Sequence, residues 1–364
     1  MSSSERHRPQ VIHIAESFAG GVSAAIRDYA RNTPQFDHGL VYAPRSDAPM
    51  NDGDLDGFTF AVELPKNHFD RIRSVRRVIR ENSSAIVHAH SSFGGLYARL
   101  AVRKGRTAGL FYTPHCYAFE RRDVPALARL GFRTIEWLLA FNTTGFIACS
   151  RREASLSMWP IARARVQFVP NVPPREVRAR AGAHRDNGEE IVVAAAGRLG
   201  EQKDPGYFIE VVRALRATDS RVRPVWVGGG DPELEARMRA EGIRVTGWLE
   251  RAEGLEALRR ADVYVHTASW EGFPLAILEA AGLGVPAMVR RIPAFEGLEL
   301  PAMLEQPADA AAVWQQFATA DARNTVAESM RSVLAGYTDD SQAHALTGAY
   351  AHQFARQDQE VTPA

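Results

Sequence analysis

The chain is poor in cysteine, carries almost no net charge and has no long apolar run. Two cysteines in 364 residues, Cys116 and Cys149, exclude a disulfide framework and a cysteine-rich zinc site. Reduced thiols in a cytosolic protein are the expectation. Lys and Arg number 44 against 43 Asp and Glu, so no global field draws in a polyanion and no nucleic-acid partner is expected. A local basic face remains compatible with that balance. No stretch approaches the ~18 apolar residues of a membrane span, and the opening MSSSERHRPQ lacks the apolar segment of a signal peptide. A cytoplasmic protein is expected. Its length, set against about 150 residues per domain, predicts two domains.

Short apolar runs alternate with amphipathic stretches. Strand-like runs occupy 11–17 (VIHIAES), 39–43, 58–64, 85–91 (AIVHAHS), 109–113, 145–150 (GFIACS) and 166–170, with helical spacing at 22–31, 71–81, 95–103 and 129–141. Such alternation makes βαβ units and a parallel sheet covered on both faces. The pattern stops at 172–190 (VPPREVRARAGAHRDNGEE), where prolines, charges and missing periodicity predict a linker. A second series has strands at 191–196 (IVVAAA), 224–227, 244–246, 263–267 and 287–289. Its helices fall at 206–216, 232–241, 255–261 and 274–281, and 307–357 reads as mostly helical. The fold class is α/β: two Rossmann-like, doubly wound parallel-sheet domains facing each other across a cleft. The expected divisions are 1–172, a linker at 173–190, a second domain at 191–337 and a closing segment at 338–364.

The segment 263–288 (VYVHTASWEGFPLAILEAAGLGVPAM) carries the most chemistry. A strand runs into a polar loop, Pro274 suits the first turn of a helix, and Gly282 and Gly284 mark its end. Glu271 lies in the loop and Glu279 in the helix. From Pro274 to Glu279 the helix rises ~7.5 Å at ~1.5 Å per residue. Two carboxylates so placed can grip two separate polyols, and the N–H groups of Phe273, Leu275 and Ala276 can meet an anion between them. A nucleoside diphosphate sugar has that layout: ribose diol, diphosphate, sugar ring. Without such a ligand, Glu271 reads as a solvated loop residue and Glu279 as a salt-bridged helix residue.

EGFPLAILEA, with Glu271 and Glu279 in an E-x7-E pattern, resembles the signature of retaining glycosyltransferases of the GT-B type, family 4. The likeness covers 11–357 and is most specific over 198–279. It implies Glu279 on the ribose hydroxyls and Glu271 on those of the transferred sugar, with Gly272, Phe273, Pro274 and Leu275 around the donor. GRLGEQKDP (197–205) is similar to the family's G-R-x4-K loop, which implies Arg198 and Lys203 on the diphosphate. Arg suits bidentate phosphate contact and Lys acts as a point charge. Together they can replace a divalent metal at the leaving group. No cofactor and no metal are therefore expected.

VWVGGGDPELEARM (225–238) is a strand, a glycine turn and a helix. Gly228 and Gly229 permit close backbone approach, and the run is not the G-x-G-x-x-G of a nicotinamide site, which counts against a dehydrogenase. The resemblance places the nucleotide near this turn and near Gly247 and Trp248. Trp248 suits stacking on a base, and equally packing between the domains or in a core. In the first domain, Gly20 and Gly21 of ESFAGGVSAAI (16–26) match the glycine pair that the family sets beside the diphosphate, and also suit a plain turn. HAHSSFGG (88–95) and YTPHCYAF (112–119) are polar strand ends, where α/β sheets expose ligands. The resemblance implies His115 beside the transferred sugar, as the catalytic residue of this domain. His90, Ser150 and Arg151 are the acceptor-side candidates. His88 and His90 also suit a zinc pair, but no third ligand has good spacing. Asp52 and Asp54 form a D-G-D in a loop and are not read as a metal pair.

The resemblance further implies an acceptor-binding first domain, a donor-binding second domain, closure that excludes water, and last helices that cross back to the first domain. It implies retained anomeric configuration, with the leaving phosphate taking the acceptor proton. The first-domain segments look most like enzymes that assemble bacterial polysaccharides on lipid carriers. The expected partners are a nucleotide-sugar donor, a UDP-sugar by preference, and a glycan or lipid-linked acceptor. One departure is AMVRRIPAFEGLEL (287–300), where Arg290, Arg291 and Pro293 stand at the family's glycine-containing loop, so the resemblance assigns no role to this loop or to Glu296. DRIRSVRRVIRE (70–81) places Arg71, Arg73, Arg76, Arg77 and Arg80 on an amphipathic helix. It suits docking on an anionic membrane surface, and equally a solvated helix whose Ile/Val stripe faces the sheet. Two further alternatives are a nucleotide-sugar 2-epimerase of the same architecture and a non-catalytic nucleotide-sugar-binding protein.

Overall fold

A computed structural model describes residues 8–45, 50, 53–178 and 190–360. Residues 179–189 of the expected linker and Asp52 of the D-G-D lie outside these; Asp54 is ion-paired with Arg27. The chain divides into two compact units. One comprises the residues up to Glu120, Val124–Val172 and the chain from Thr338 onward; the other comprises Arg121–Asp123 and Pro173–Tyr337.

The first unit runs β1 (Gln10–Ala15), α1 (Gly20–Asn32), β2 (Asp37–Tyr42), β3 (Phe60–Glu63), α2 (His68–Glu81), β4 (Ile86–His90), α3 (Ser91–Ala101), β5 (Gly109–Thr113), α4 (Ala126–Ala140), β6 (Gly145–Ala148), α5 (Arg151–Leu156) and β7 (Arg165–Phe168). Its strands pair in the order β3-β2-β1-β4-β5-β6-β7, all parallel. β4 and β5 are buried along their whole length. That burial is why their sequences read as unbroken rather than alternating runs. The run at 145–150 stops being strand at Ala148, because Ser150 caps α5 by accepting from Glu153 N at 3.1 Å. Two of the five arginines of the basic helix α2 are held by bonds within the unit, although Arg76 stays exposed. Arg71 donates to Pro65 O and pairs with Glu16; Arg76 donates to Ala101 O and Leu100 O.

The second unit runs α6 (Arg175–Arg178), β8 (Ile191–Ala196), α7 (Pro205–Thr218), β9 (Val222–Val227), α8 (Pro232–Ala240), β10 (Arg244–Val245), α9 (Arg251–Arg259), β11 (Val263–His266), α10 (Leu275–Leu283), β12 (Ala287–Arg290), β13 (Met303–Leu304), α11 (Asp309–Val313) and α12 (Ala320–Val333). Its parallel order is β10-β9-β8-β11-β12-β13. α9 starts four residues before the apolar pattern does, because Glu250 and Glu253 form a capping box. Gly284, at φ 78°, ends α10. Gly282 does not end it: it lies inside the helix, and a Cβ there would come 2.6 Å from Val177 Cγ2.

The last helix, α13 (Asp339–Glu360), belongs to the first unit. Asn32 Nδ2 donates to Gln342 Oε1 at 2.8 Å, and Gln342 Nε2 donates to Pro170 O at 2.9 Å. Leu346 and Tyr350 are buried with Val11, Tyr29, Phe36 and Ile147. Both sheets reverse their winding beside their first strand, at β1/β4 and at β8/β11. Such switch points open a crevice at the strands' carboxyl ends. Among the described residues, no helix is long and apolar enough to cross a membrane.

Candidate active site

In the second unit the loops that leave β8 and β11 lock together at the switch point. Ser269 N donates to Gln202 O at 2.9 Å, Gln202 Nε2 to Trp270 O at 3.0 Å, and Thr267 Oγ1 to Lys203 O. Arg290, at the end of β12, braces both loops. Its Nη1 reaches Asp204 Oδ2 at 2.6 Å, Thr267 O at 2.9 Å and Ser269 Oγ at 2.9 Å. Its guanidinium lies 4.3 Å from the Tyr207 ring centre. Asp204 has φ 48° and caps α7 by accepting from Tyr207 N, so this αL residue is held from both sides. The departure of the sequence from the family pattern at Arg290 thus has a structural role.

The frame sets Lys203 Nζ 2.5 Å from Glu271 Oε1. Gly197 makes room, since a Cβ there would lie 2.8 Å from Lys203 Cε. Glu279, one turn into α10, is buried and pairs with Arg251 Nη2 at 2.5 Å. Pro274 caps α10 without a side-chain bond, and the first-turn N–H groups of Leu275 and Ala276 have no carbonyl within the helix. Gly272, Phe273 and Pro274 are buried, and Phe273 stacks on Tyr337 at 4.7 Å. Arg198 is exposed at the start of the first loop. Two carboxylate–cation pairs therefore stand in this unit, Lys203 with Glu271 and Arg251 with Glu279, and the α10 cap position, three residues after Glu271, carries no side-chain bond.

The glycines of the β9 turn have an internal explanation. A Cβ on Gly228, at φ 133°, would come 2.3 Å from Gly197 O, and one on Gly229 would come 3.1 Å from Trp248 N. The close approach at Gly228 is thus to the chain's own backbone. Trp248 is 57% exposed, so the core alternative for it is overturned.

In the first unit, histidines form a hydrogen-bonded relay behind His115. His38 Nε2 contacts Thr33 O at 3.1 Å, and His38 Nδ1 lies 3.0 Å from His13 Nε2. His13 Nδ1 lies 3.0 Å from His90 Nε2, and His90 Nδ1 lies 3.0 Å from His115 Nε2. A carbonyl only accepts, so His38 carries its proton on Nε2 and offers Nδ1 as acceptor. The same polarity passes along the row: each histidine is neutral with Nε2–H, and His115 keeps Nδ1 as a bare lone pair. Burial, the leading cause for every member, pushes all four below the ordinary histidine range, His115 to about 4.

His115 and Cys116 have φ 52° and 97°. Glu153 holds them there, accepting from Cys116 N and from Cys149 N, each at 2.8 Å. His90 is fully buried behind His115, and Ser150 is buried with its hydroxyl spent on the α5 cap. Neither is an exposed acceptor contact; Arg151 is exposed. Gly20, at φ 56°, makes a turn that requires glycine; Gly21 is exposed, and α1 has no side-chain cap. The third histidine that the sequence did not reveal is His13, the register partner of His88 across β1 and β4. His13, His88 and His90 offer nitrogens within 4.8 Å of one another. A metal ion there would have to displace bonds to Thr113, Tyr350 or the relay. Arg251, Arg290 and Glu153 also escaped the sequence reading. Only Glu153 had a local signal, the S-x-x-E capping pattern from Ser150.

The model of the glycosyl transferase 4-like domain matches residues 20–172, and that of the glycosyl transferases group 1 matches 190–320. A UDP-Gal:alpha-D-GlcNAc-diphosphoundecaprenol alpha-1,3-galactosyltransferase of Escherichia coli is 29% identical over 238 residues, 60% of this chain and 61% of that relative. The match thus spans less than two thirds of the relative's length. Among solved structures, a sucrose-phosphate synthase from Thermosynechococcus elongatus superposes with a TM-score of 0.74 at 16% identity, covering 96% of this chain and 100% of that one. The Anabaena protein HepE, in complex with UDP-glucose, superposes with a TM-score of 0.72 at 15% identity, covering 95% and 99%. These likenesses establish the GT-B fold, and with the two family models, which together match well over half of the residues, they make the chain a member of the GT-B glycosyltransferases.

Proposed function

We propose that the protein is a retaining glycosyltransferase. It moves a sugar from a nucleoside diphosphate sugar, a UDP-sugar by preference, to a glycan or lipid-linked acceptor in the synthesis of a bacterial polysaccharide or glycoconjugate. The observation that carries this reading is the 2.5 Å pair of Lys203 and Glu271, beside the uncapped N-terminus of α10 and eight residues before Glu279. The E. coli relative, named for a UDP-sugar donor and a lipid diphosphate acceptor, supports the donor and acceptor classes. That relative is a transferase, which favours transfer over the epimerase alternative.

In this reading Glu279 holds the ribose diol, releasing Arg251, and Trp248 stacks on the base. Gly20 and Gly21 lie beside the diphosphate, and the N–H groups at the start of α10 meet it. Glu271 turns from Lys203 to the hydroxyls of the sugar, which leaves Lys203 and Arg198 to neutralise the leaving group without a metal. The bond from the anomeric carbon to the phosphate oxygen breaks, the bond to the acceptor oxygen forms, and the acceptor proton passes to the departing diphosphate. His115, with a bare Nδ1, accepts a hydrogen bond from a sugar hydroxyl.

Incubation with UDP-, GDP- and ADP-sugars and a lipid diphosphate-linked monosaccharide tests the reading. Product with the donor's anomeric configuration by proton NMR is expected. Free epimerised sugar, inverted product or no turnover with any donor contradicts it.

A further inference from the structure

The first unit carries a second polar cluster at its switch point, beside the histidine row. Glu16 follows β1 and Ser91–Phe93 follow β4, the two strands between which the winding reverses. Ser91, at φ 59°, turns the chain out of β4, and the next residues are pressed onto the sheet. A Cβ on Gly94 would come 2.7 Å from Ile14 O, and one on Gly95 would come 2.4 Å from the Tyr112 ring. This contact fixes the backbone beside Phe93, whose side chain nonetheless faces water, 47% exposed.

A second exposed ring stands next to it. His68, the first residue of α2, has its ring centre 5.3 Å from that of Phe93, with 31° between the planes. Asn67 caps α2 by accepting from Phe69 N at 2.8 Å and so holds His68 in place. His68 Nδ1 lies 2.6 Å from the hydroxyl of Tyr97, a buried residue whose ring centre is 6.1 Å from that of Phe93. The same hydroxyl accepts from Arg71 Nη1 at 3.4 Å, and Arg71 pairs with Glu16 Oε1 at 3.3 Å. Glu16 and Arg71 are both partly buried. A lone exposed phenylalanine is ordinary. Two fixed rings leading to a half-shielded carboxylate–guanidinium pair form a surface with a definite chemistry. A sugar ring has C–H bonds on its faces and hydroxyls at its rim. The negative face of an aromatic ring attracts the first; a carboxylate accepts from the hydroxyls and a guanidinium donates to them. An acyl chain laid over the same rings would strip water from Glu16 and Arg71 and return nothing.

We infer that Phe93 and His68 are a stacking platform for a pyranose ring, with Glu16 and Arg71 on its hydroxyls, and that the platform seats the sugar of the acceptor. Phe93 lies three residues past His90, the histidine bonded to His115, so a sugar held there has the His115 side of the unit as its neighbour. That the sugar is the acceptor's rests on the transfer reading; that the platform binds a sugar does not.

The test is saturation-transfer difference NMR of the full chain with the methyl α-glycosides of glucose, galactose and N-acetylglucosamine. At least one should receive saturation, chiefly at the C–H groups of one ring face, and excess UDP should leave that signal in place. Phe93→Ala should weaken binding by at least about threefold with an unchanged thermal melt, because the ring is exposed, and Phe93→Tyr should restore it. Glu16→Gln should weaken binding while keeping the one-sided pattern. In the transfer assay, Phe93→Ala should raise the acceptor KM by a similar factor and leave the donor KM where it is, a split that a merely structural role would not produce. No saturation of any glycoside, equal binding to Phe93→Ala, or displacement of the signal by UDP overturns the inference. Turnover with an acceptor KM that ignores Phe93→Ala also overturns it and leaves the transfer reading standing. A Phe93-dependent signal without turnover from any donor removes the transfer reading and leaves the platform.

Discussion

Lys203 Nζ and Glu271 Oε1 meet at 2.5 Å across two loops that are 68 residues apart in the sequence. Each group offsets the other's charge, and Arg290 fixes the loops that carry both. If Glu271 hands Lys203 to the diphosphate when a donor binds, removing either one costs turnover more than fold. Lys203→Ala and Glu271→Ala should each lower kcat by roughly 10²–10³, with unfolding transitions close to that of the unaltered protein. Steady-state kinetics beside thermal melts check this; normal turnover in both variants removes the site assignment.

Arg290 positions these loops by joining three oxygens from one guanidinium nitrogen while packing on Tyr207. Lysine can keep the charge but not the planar stacking. Arg290→Lys should therefore lower kcat by about tenfold through misplacement, with KM for the donor raised less. A variant indistinguishable from the parent removes the bracing role.

The histidine row predicts a proton arrangement. In nitrogen-15 spectra of histidine-labelled protein at neutral pH, His13, His38, His90 and His115 should all show the Nε2–H tautomer. His38→Phe removes the link to the Thr33 carbonyl and should let His115 populate both tautomers. His90→Asn, which retains an acceptor near the His90 Nδ1 position, should keep His115 as it is. Nδ1–H on His115 in the unaltered protein, or spectra that change with a chelator, would overturn the row as drawn.

The same burial gives a pH dependence of stability. His13, His38, His88, His90 and His115 are all lowered in the folded state. The unfolded chain then binds more protons once pH falls below the ordinary histidine value, ~6.5, and stability declines with falling pH. Asp28 opposes this: burial raises it to about 6, so its protonation stabilises the fold over part of the same range. His266, lowered by burial as well, adds a sixth histidine, and Glu153, raised by burial, joins Asp28 on the other side. With six groups against two, urea midpoints should fall between about pH 6.5 and 5 with a slope of more than one proton. A flat profile contradicts the buried neutral row.

The buried pair Arg99–Glu136 holds the polar side of α4 against Tyr112. Glu136→Ala leaves a buried guanidinium unpaired and should cost ~3–5 kcal/mol in urea unfolding. Arg99→Met with Glu136→Leu should recover most of it. Equal losses in the single and double variants contradict the pairing.

Much of the fold was legible because its signals are local. The runs at 109–113 and 191–196 are strands at those bounds, since unbroken apolar stretches flanked by polar residues have one burial solution in a parallel sheet. Pro232 after Asp231 gave the start of α8 in the same way. Glu271, Glu279 and Lys203 were legible through spacing. His13, Arg251 and Arg290 were not: each acquires its partners across strands or loops far away in sequence, and none carries a local pattern. The orientation of α4 had no local signal either: helical spacing at 129–141 does not say which side meets the sheet, and the structure buries Glu136 while Leu127, Leu130 and Leu138 are exposed.

Calorimetric titration of UDP-glucose and UDP-galactose, with GDP- and ADP-sugars beside them, into the unaltered protein and into Glu279→Ala and Lys203→Ala tests the central claim most directly. Binding of one of these donors, weakened in both variants by at least about tenfold, is the predicted result. Equal affinity in all three proteins, or no binding of any donor to the unaltered protein, would contradict it.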